Sequence, residues 1–137
     1  MFKHIMVPID LHMPPEVSKA IDVASEMAKW MGAKITIVSV TGTGMTDAPH
    51  TPETIAQGLA DVAEKLCEKS GGDVETLNVN SHDIAVEVDS ALTRAVDQIG
   101  ADLVVVGTHA PRITDYILSS HAGHLAKHAS ASVFVVR

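Results

Sequence analysis

The sequence predicts an open, doubly wound α/β fold, with five parallel strands in one sheet and helices on both of its faces. Short apolar, β-branched runs alternate with longer segments whose apolar residues recur every three or four positions. Hydrophobic residues make up 46% of the 137 residues but aromatics only 3%, so the core is built from Val, Ile, Leu, Ala and Met. That composition suits a helix-covered parallel sheet better than a sandwich filled with rings. No repeat, linker or low-complexity tract interrupts the alternation, and the chain reads as one domain over 1–137.

The first strand is Ile5-Met6-Val7-Pro8-Ile9, ending at Asp10. Pro14-Pro15 suits the opening of a helix, because a fixed φ and a missing N–H are harmless in the first turn. Val17, Ala20, Ile21, Ala24, Met27, Ala28 and Met31 line one face of that helix, and Gly32 stops it. Lys34 to Val40 is the second strand, and residues 41–50 read as a loop. Thr51-Pro52-Glu53 supplies an N-cap, a proline at N1 and a first-turn acid for a helix lined by Ile55, Leu59, Val62, Ala63 and Leu66. Gly71-Gly72 ends it.

Val74 to Ser81 mixes Glu, Asn and Thr with apolar residues and reads as an edge strand. Val88, Ala91, Leu92, Ala95, Val96 and Ile99 mark a third helix, closed by Gly100. Leu103-Val104-Val105-Val106 is the most hydrophobic strand and is expected to be central. A polar loop, a helix from Ser120 to His128 and the strand Val133-Phe134-Val135-Val136 complete the order. In such sheets, ligands bind beyond the carboxyl ends of the strands, where the winding reverses. With the first and fourth strands at that point, Asp10 faces Gly107-Thr108-His109.

A formal charge of −7 and the absence of any Lys/Arg run exclude a nucleic-acid surface and weaken any case for an anionic membrane. No apolar stretch approaches the roughly 20 residues a spanning helix needs. The opening residues carry no signal-peptide pattern, and Cys67 is the single cysteine, so a cytoplasmic location is expected.

Three segments together carry a resemblance: Ile5-Met6-Val7-Pro8-Ile9-Asp10, Ala101 to His109, and Lys127 to Arg137. The chain resembles the universal stress protein (UspA) family along essentially its whole length. Its loop from Gly107 to Ser120 is most similar to the enterobacterial F-type branch. The resemblance implies a stress-response regulatory protein that binds an adenine nucleotide, ATP or AMP, with Mg accompanying ATP. It also implies a homodimer through the last strand, Ser132 to Arg137, which would cover an otherwise exposed backbone edge.

Carried over by position, the site comprises Pro8, Asp10, Val40, Val106, Gly107, Thr108, His109, Ala110, Ser119, Ser120 and His121. Asp10 would meet the adenosine part, Val40 would pack on adenine, and Gly107 would let the backbone approach. Ser120 would cap the last helix and offer its hydroxyl and N–H groups to phosphate, at a terminus that attracts anions. The sequence departs from the family's Gly-x2-Gly-x9-Gly-Ser/Thr loop in having Ala110 and Ser119 at the second and third glycines, and one residue fewer between them. Val86-Glu87-Val88 also replaces the usual Gly-x-Pro or Gly-x-Ala.

Plainer readings stand beside these. Asp10 suits a strand-end cap, Ser119 and Ser120 suit ordinary helix caps, and Thr108 and His109 suit polar loop residues. His121, His124 and His128 share one helix face, either as a solvated surface or as a metal or proton site. With no carboxylate or Cys in register to complete a ligand set, no metal is assigned. Cys67 is expected to be a buried or half-buried small side chain, and the methionines to fill core positions. No nucleophile elbow, His-Glu-x-x-His or Walker lysine is present, so no catalytic residues are assigned. The alternatives are a nucleotide-free member acting through protein contacts and a weak nucleotide hydrolase.

Overall fold

The structure, a computed structural model, describes residues 1–11, 19–42, 51–107 and 120–137. In chain order the elements are β1 (His4–Pro8), α1 (Lys19–Met31), β2 (Lys34–Gly42), α2 (Pro52–Ser70), β3 (Val74–Ser81), α3 (Ile84–Ile99), β4 (Leu103–Gly107), α4 (Ser120–His128) and β5 (Ser132–Val136). All strand pairs are parallel, in the order β3-β2-β1-β4-β5. The winding therefore reverses between β1 and β4, and β3 and β5 are the edges.

The apolar pattern explains the two layers. Ile5 and Val7 alternate with Met6 along β1, so the sheet presents one set of side chains to each face. One face packs against Ala20, Ile21, Ala24 and Ala28 of α1 and Ile55, Leu59, Val62 and Leu66 of α2. The other, with Met6, Val38, Val104 and Val106, packs against Leu92, Ala95 and Val96 of α3 and Ala122 and Leu125 of α4. Thr51 caps α2 by accepting the Thr54 N–H, and Gly71 ends the helix at φ 68°, a left-handed conformation that glycine reaches at little cost.

Several expectations shift. β1 begins at His4, which is buried, and ends at Pro8 rather than Ile9. β2 runs through Gly42, past the expected loop start at residue 41, because it pairs with β3 as far as Ser81; residues 43–50 of that expected loop lie outside the described residues. Thr41 is buried there, its hydroxyl shared with Asn78 and Asn80. α3 starts at Ile84, a turn before its periodic run. The central strand is β1; β4 is interior, between β1 and β5. Cys67 is exposed rather than buried, because Val62, Leu66 and Ser70 form the inward stripe of α2. Met27 and Met31 pack at the margin of the core, while Met6 lies wholly inside it. The expected start of the first helix at Pro14-Pro15, with Val17, lies outside the described residues.

Candidate functional site at the strand reversal

β1 and β4 lie side by side, yet their paired stretch covers only Ile5 with Leu103 and Met6 with Val104. β1 continues to pair with β2 through Pro8, and β4 with β5 through Gly107. The two strands thus run on past their shared ladder toward the carboxyl edge.

Pro8 gives this a cause. Backbone groups of one residue point to the same neighbour, and neighbours alternate along a strand. Ile9 donates its N–H to Val38 of β2, whereas the His4 carbonyl accepts from Asp102 beside β4. Odd-numbered residues of β1 therefore bond to β2 and even-numbered ones to β4. Position 8 is the next that would donate to β4, and proline has no N–H to give.

At the carboxyl end of this junction, Pro8 and Val40 are half-buried, Asp10 and Gly107 are exposed, and Val106 is buried. Val40 and Val106 both pack on the α3/α4 face. Ser120 opens α4, so the N-terminus of that helix comes from the connection that leaves β4. Thr108, His109, Ala110 and Ser119 lie outside the described residues. So does Asp115.

His121 is exposed and joins α4 to α3, its Nδ1 lying 2.5 Å from Asp89 Oδ1. That carboxylate is one the helix register alone could not supply. His124 and His128 stack on each other, with ring centroids 4.4 Å apart and planes tilted by 38°. Among the described residues, no group of three or more His, Cys, Asp or Glu is arranged to hold a metal ion.

The start of α3 brings the Val86-Glu87-Val88 segment to this edge, together with Ile84, which the sequence did not single out. Ile84 covers the end of β2: a Cβ on Gly42 would meet its Cδ1 at 2.8 Å. Val86 is strongly exposed, at 76%. The Ser81 hydroxyl donates to Glu87 at 2.5 Å and holds that carboxyl below its ordinary range, helped by the backbone N–H donors of the helix start. No local pattern links Ser81 to Glu87 or Asp89 to His121; each contact exists because strand ends and helix starts gather at one edge.

A parallel sheet whose winding reverses between its first and fourth strands defines the doubly wound α/β class, in which ligands are taken beyond the carboxyl ends of the strands at that junction. The chain belongs to the universal stress protein family, whose pattern matches residues 1–137. It is 25% identical over 142 residues to universal stress protein G of Salmonella typhimurium, covering 100% of both chains. Among solved structures it is similar to a universal stress protein in complex with cAMP, at TM-score 0.74 and 23% identity, covering 99% of this chain and 97% of that one. It is also similar to the Archaeoglobus fulgidus universal stress protein in complex with dAMP, at TM-score 0.73 and 16% identity, with 98% of each covered. Among the described residues, no helix is long and apolar enough to cross a membrane.

Proposed function

We propose that this chain is one universal stress protein domain that binds an adenine nucleotide, ATP or AMP, and works as a small cytoplasmic regulatory homodimer without efficient turnover. The junction between β1 and β4 carries the reading, because the winding reverses there and its ladder stops short of the carboxyl edge, where doubly wound folds take their ligands. The cAMP and dAMP complexes of two similar structures support an adenine ring as the occupant.

The residues fit the nucleoside end well. Val40 and Pro8 offer apolar surface for a base, and the exposed Asp10 offers a carboxylate to a sugar hydroxyl. The phosphate end is less neutral. Glu87 and Asp89 lie near the start of α3, and the chain carries −7 overall, so the backbone N–H groups at the start of α4 are the groups that would favour an anion. Mg would accompany ATP to offset its charge. His121, Gly107, Thr108, His109, Ala110, Ser119 and Ser120 complete the set assigned to the ligand.

Titration calorimetry with AMP, ATP, ATP with Mg and cAMP tests the reading, and saturable heat at submillimolar nucleotide is the expected result. No heat at millimolar nucleotide, confirmed by a second binding probe, would overturn it in favour of a nucleotide-free member in which Ala110 and Ser119 record a lost pocket. Phosphate release with Mg that disappears in Asp10→Ala would instead indicate a hydrolase.

The homodimer is assigned to β5. Ser132 bonds to the Asp102 carbonyl on the β4 side, so by alternation the Val133 and Val135 amides point outward along an edge on which Phe134 is 46% exposed. Val135→Pro removes one outward donor and leaves the β4 ladder intact. Sedimentation should show the dimer weakened, and an unchanged dimer would exclude this edge.

A further inference from the structure

At the opposite end of the sheet from the candidate site, a line of polar side chains crosses three strands. His4 of β1 is buried, with 5% of its surface exposed. Its Nε2 lies 2.7 Å from Thr36 Oγ1 on β2, and that hydroxyl lies 3.5 Å from Glu75 Oε2 on β3. Lys34 Nζ lies 3.5 Å from the same Glu75 oxygen. The parallel register places His4 opposite Lys34 and Thr36 opposite Glu75, so all four project from one face. The Ile99 backbone at the end of α3 also acts on the ring, favouring its protonated form; with Nε2 turned to Thr36, Nδ1–H is the group left for that carbonyl. Asp102, ahead of β4, is the remaining charged group nearby, and it accepts the backbone N–H of His4.

The Thr36 hydroxyl has one hydrogen and two acceptors competing for it. With Nδ1–H donated to Ile99, a neutral His4 presents a bare Nε2, and the hydroxyl must donate there. A proton on Nε2 reverses that bond. The imidazolium then donates to Oγ1, and the hydroxyl hydrogen is released to the Glu75 carboxylate.

We propose that His4, Thr36 and Glu75 form a proton-operated relay, in which protonation of the buried ring switches the Thr36 hydroxyl from β1 to β3 and couples the middle of the sheet to its edge. The relay gives the buried cation a hydrogen-bonded path to an anion, while at neutral pH Glu75 is left to Lys34. Burial, aided by the Lys34 charge, holds the His4 pKa below its ordinary 6.5, so the neutral arrangement is the resting one. The sign follows from linkage. The unfolded chain binds this proton more readily, so the fold has its full stability above pH 6.5 and loses some as pH falls from there through the folded pKa.

Nitrogen NMR of the histidine rings across a pH titration tests the relay. Above neutrality the intact protein should show His4 as the Nδ1–H tautomer; the Nε2–H tautomer would overturn the scheme without any variant. Glu75→Gln should lower the proton affinity of His4 about threefold, roughly half a pKa unit. Most of that change should vanish in a Thr36→Val background and persist in Thr36→Ser, which keeps the hydroxyl. An equal Glu75→Gln effect with and without the hydroxyl means coupling through space, and no effect means none; either result overturns the relay. Should Thr36→Val not fold, the tautomer and the Glu75→Gln shift measured in the Thr36→Ser background still decide.

Discussion

The two ends of the β1–β4 junction are built on opposite principles. At the amino end the strands are fastened. The Asp102 carboxylate accepts N–H bonds from Lys3 and His4 at 2.9 to 3.1 Å, its own N–H donates to the His4 carbonyl, and its carbonyl accepts from Ser132. One residue thereby ties β1, β4 and β5 together. At the carboxyl end the β1–β4 ladder stops at Met6 and Val104, short of both strand ends. A sheet held firmly at one end can end a ladder early at the other without fraying, and binding sites are best built on such rigid support.

The largest effect is expected where the fastening is broken. Asp102→Ala removes a carboxylate that accepts from two backbone donors and should lower stability by roughly 2–3 kcal/mol in denaturant unfolding at neutral pH. Asp102→Asn keeps an acceptor and should cost less. The pH dependence has a definite sign. Burial raises the Asp102 pKa, but the His4 and Lys3 amides outweigh it and leave the carboxyl below its ordinary 3.8. The stabilisation is therefore complete above pH 3.8 and is lost as pH falls through the folded value. Asp102→Asn should flatten that acid limb, and an unchanged limb would show that the fastening contributes nothing.

Much of the fold was legible because burial on one face imposes a period, and the period survives in the residues. The inward stripe of α2 from Ile55 to Leu66 and the edge position of β3 are direct readings of that pattern. Asp102 was not legible as a fastener, since its partners lie 98 and 99 residues away and nothing local marks the contact. His4 looked like part of the lead-in to a strand; only the register reveals Thr36 and Glu75 beside it. Cys67 was misjudged because a small apolar side chain fits either face of a helix, and its place is decided by the packing of Leu66 and Ser70. Of the candidate site, the strand ends were predictable from topology. Asp89 and Ile84 were not, because they reach that edge from the start of a different helix.

At the carboxyl end, substitutions should divide between shape and binding. Gly42→Ala would push its Cβ into the Ile84 side chain, at 2.8 and 2.9 Å from two of its atoms. The side chain is flexible, so the cost should be about 1–2 kcal/mol of overpacking, and Ile84→Ala in the same chain should remove the clash. Additive losses in the double variant would mean that the two positions do not share space. Asp10→Ala should spare the fold and weaken adenine nucleotide binding about tenfold, the loss of one charge-assisted hydrogen bond. Unaltered affinity would remove Asp10 from the site.

The smallest change in stability should come from the residue that makes the two ends differ. Pro8→Ala restores an N–H at the position where β1 would next donate to β4. The variant gains one backbone hydrogen bond, worth about 1 kcal/mol, and loses the proline's restriction of the unfolded chain, worth about 0.4–1 kcal/mol. The two nearly cancel, so unfolding should barely shift. The local consequence is large by comparison. The amide introduced at position 8 should be protected from hydrogen exchange, the β1–β4 ladder should lengthen toward the carboxyl edge, and nucleotide affinity should fall as the strands draw together there. A rapidly exchanging amide would show that the strands are held apart by something other than the missing donor. A protected amide with undiminished affinity would keep the account of the ladder and move the ligand elsewhere.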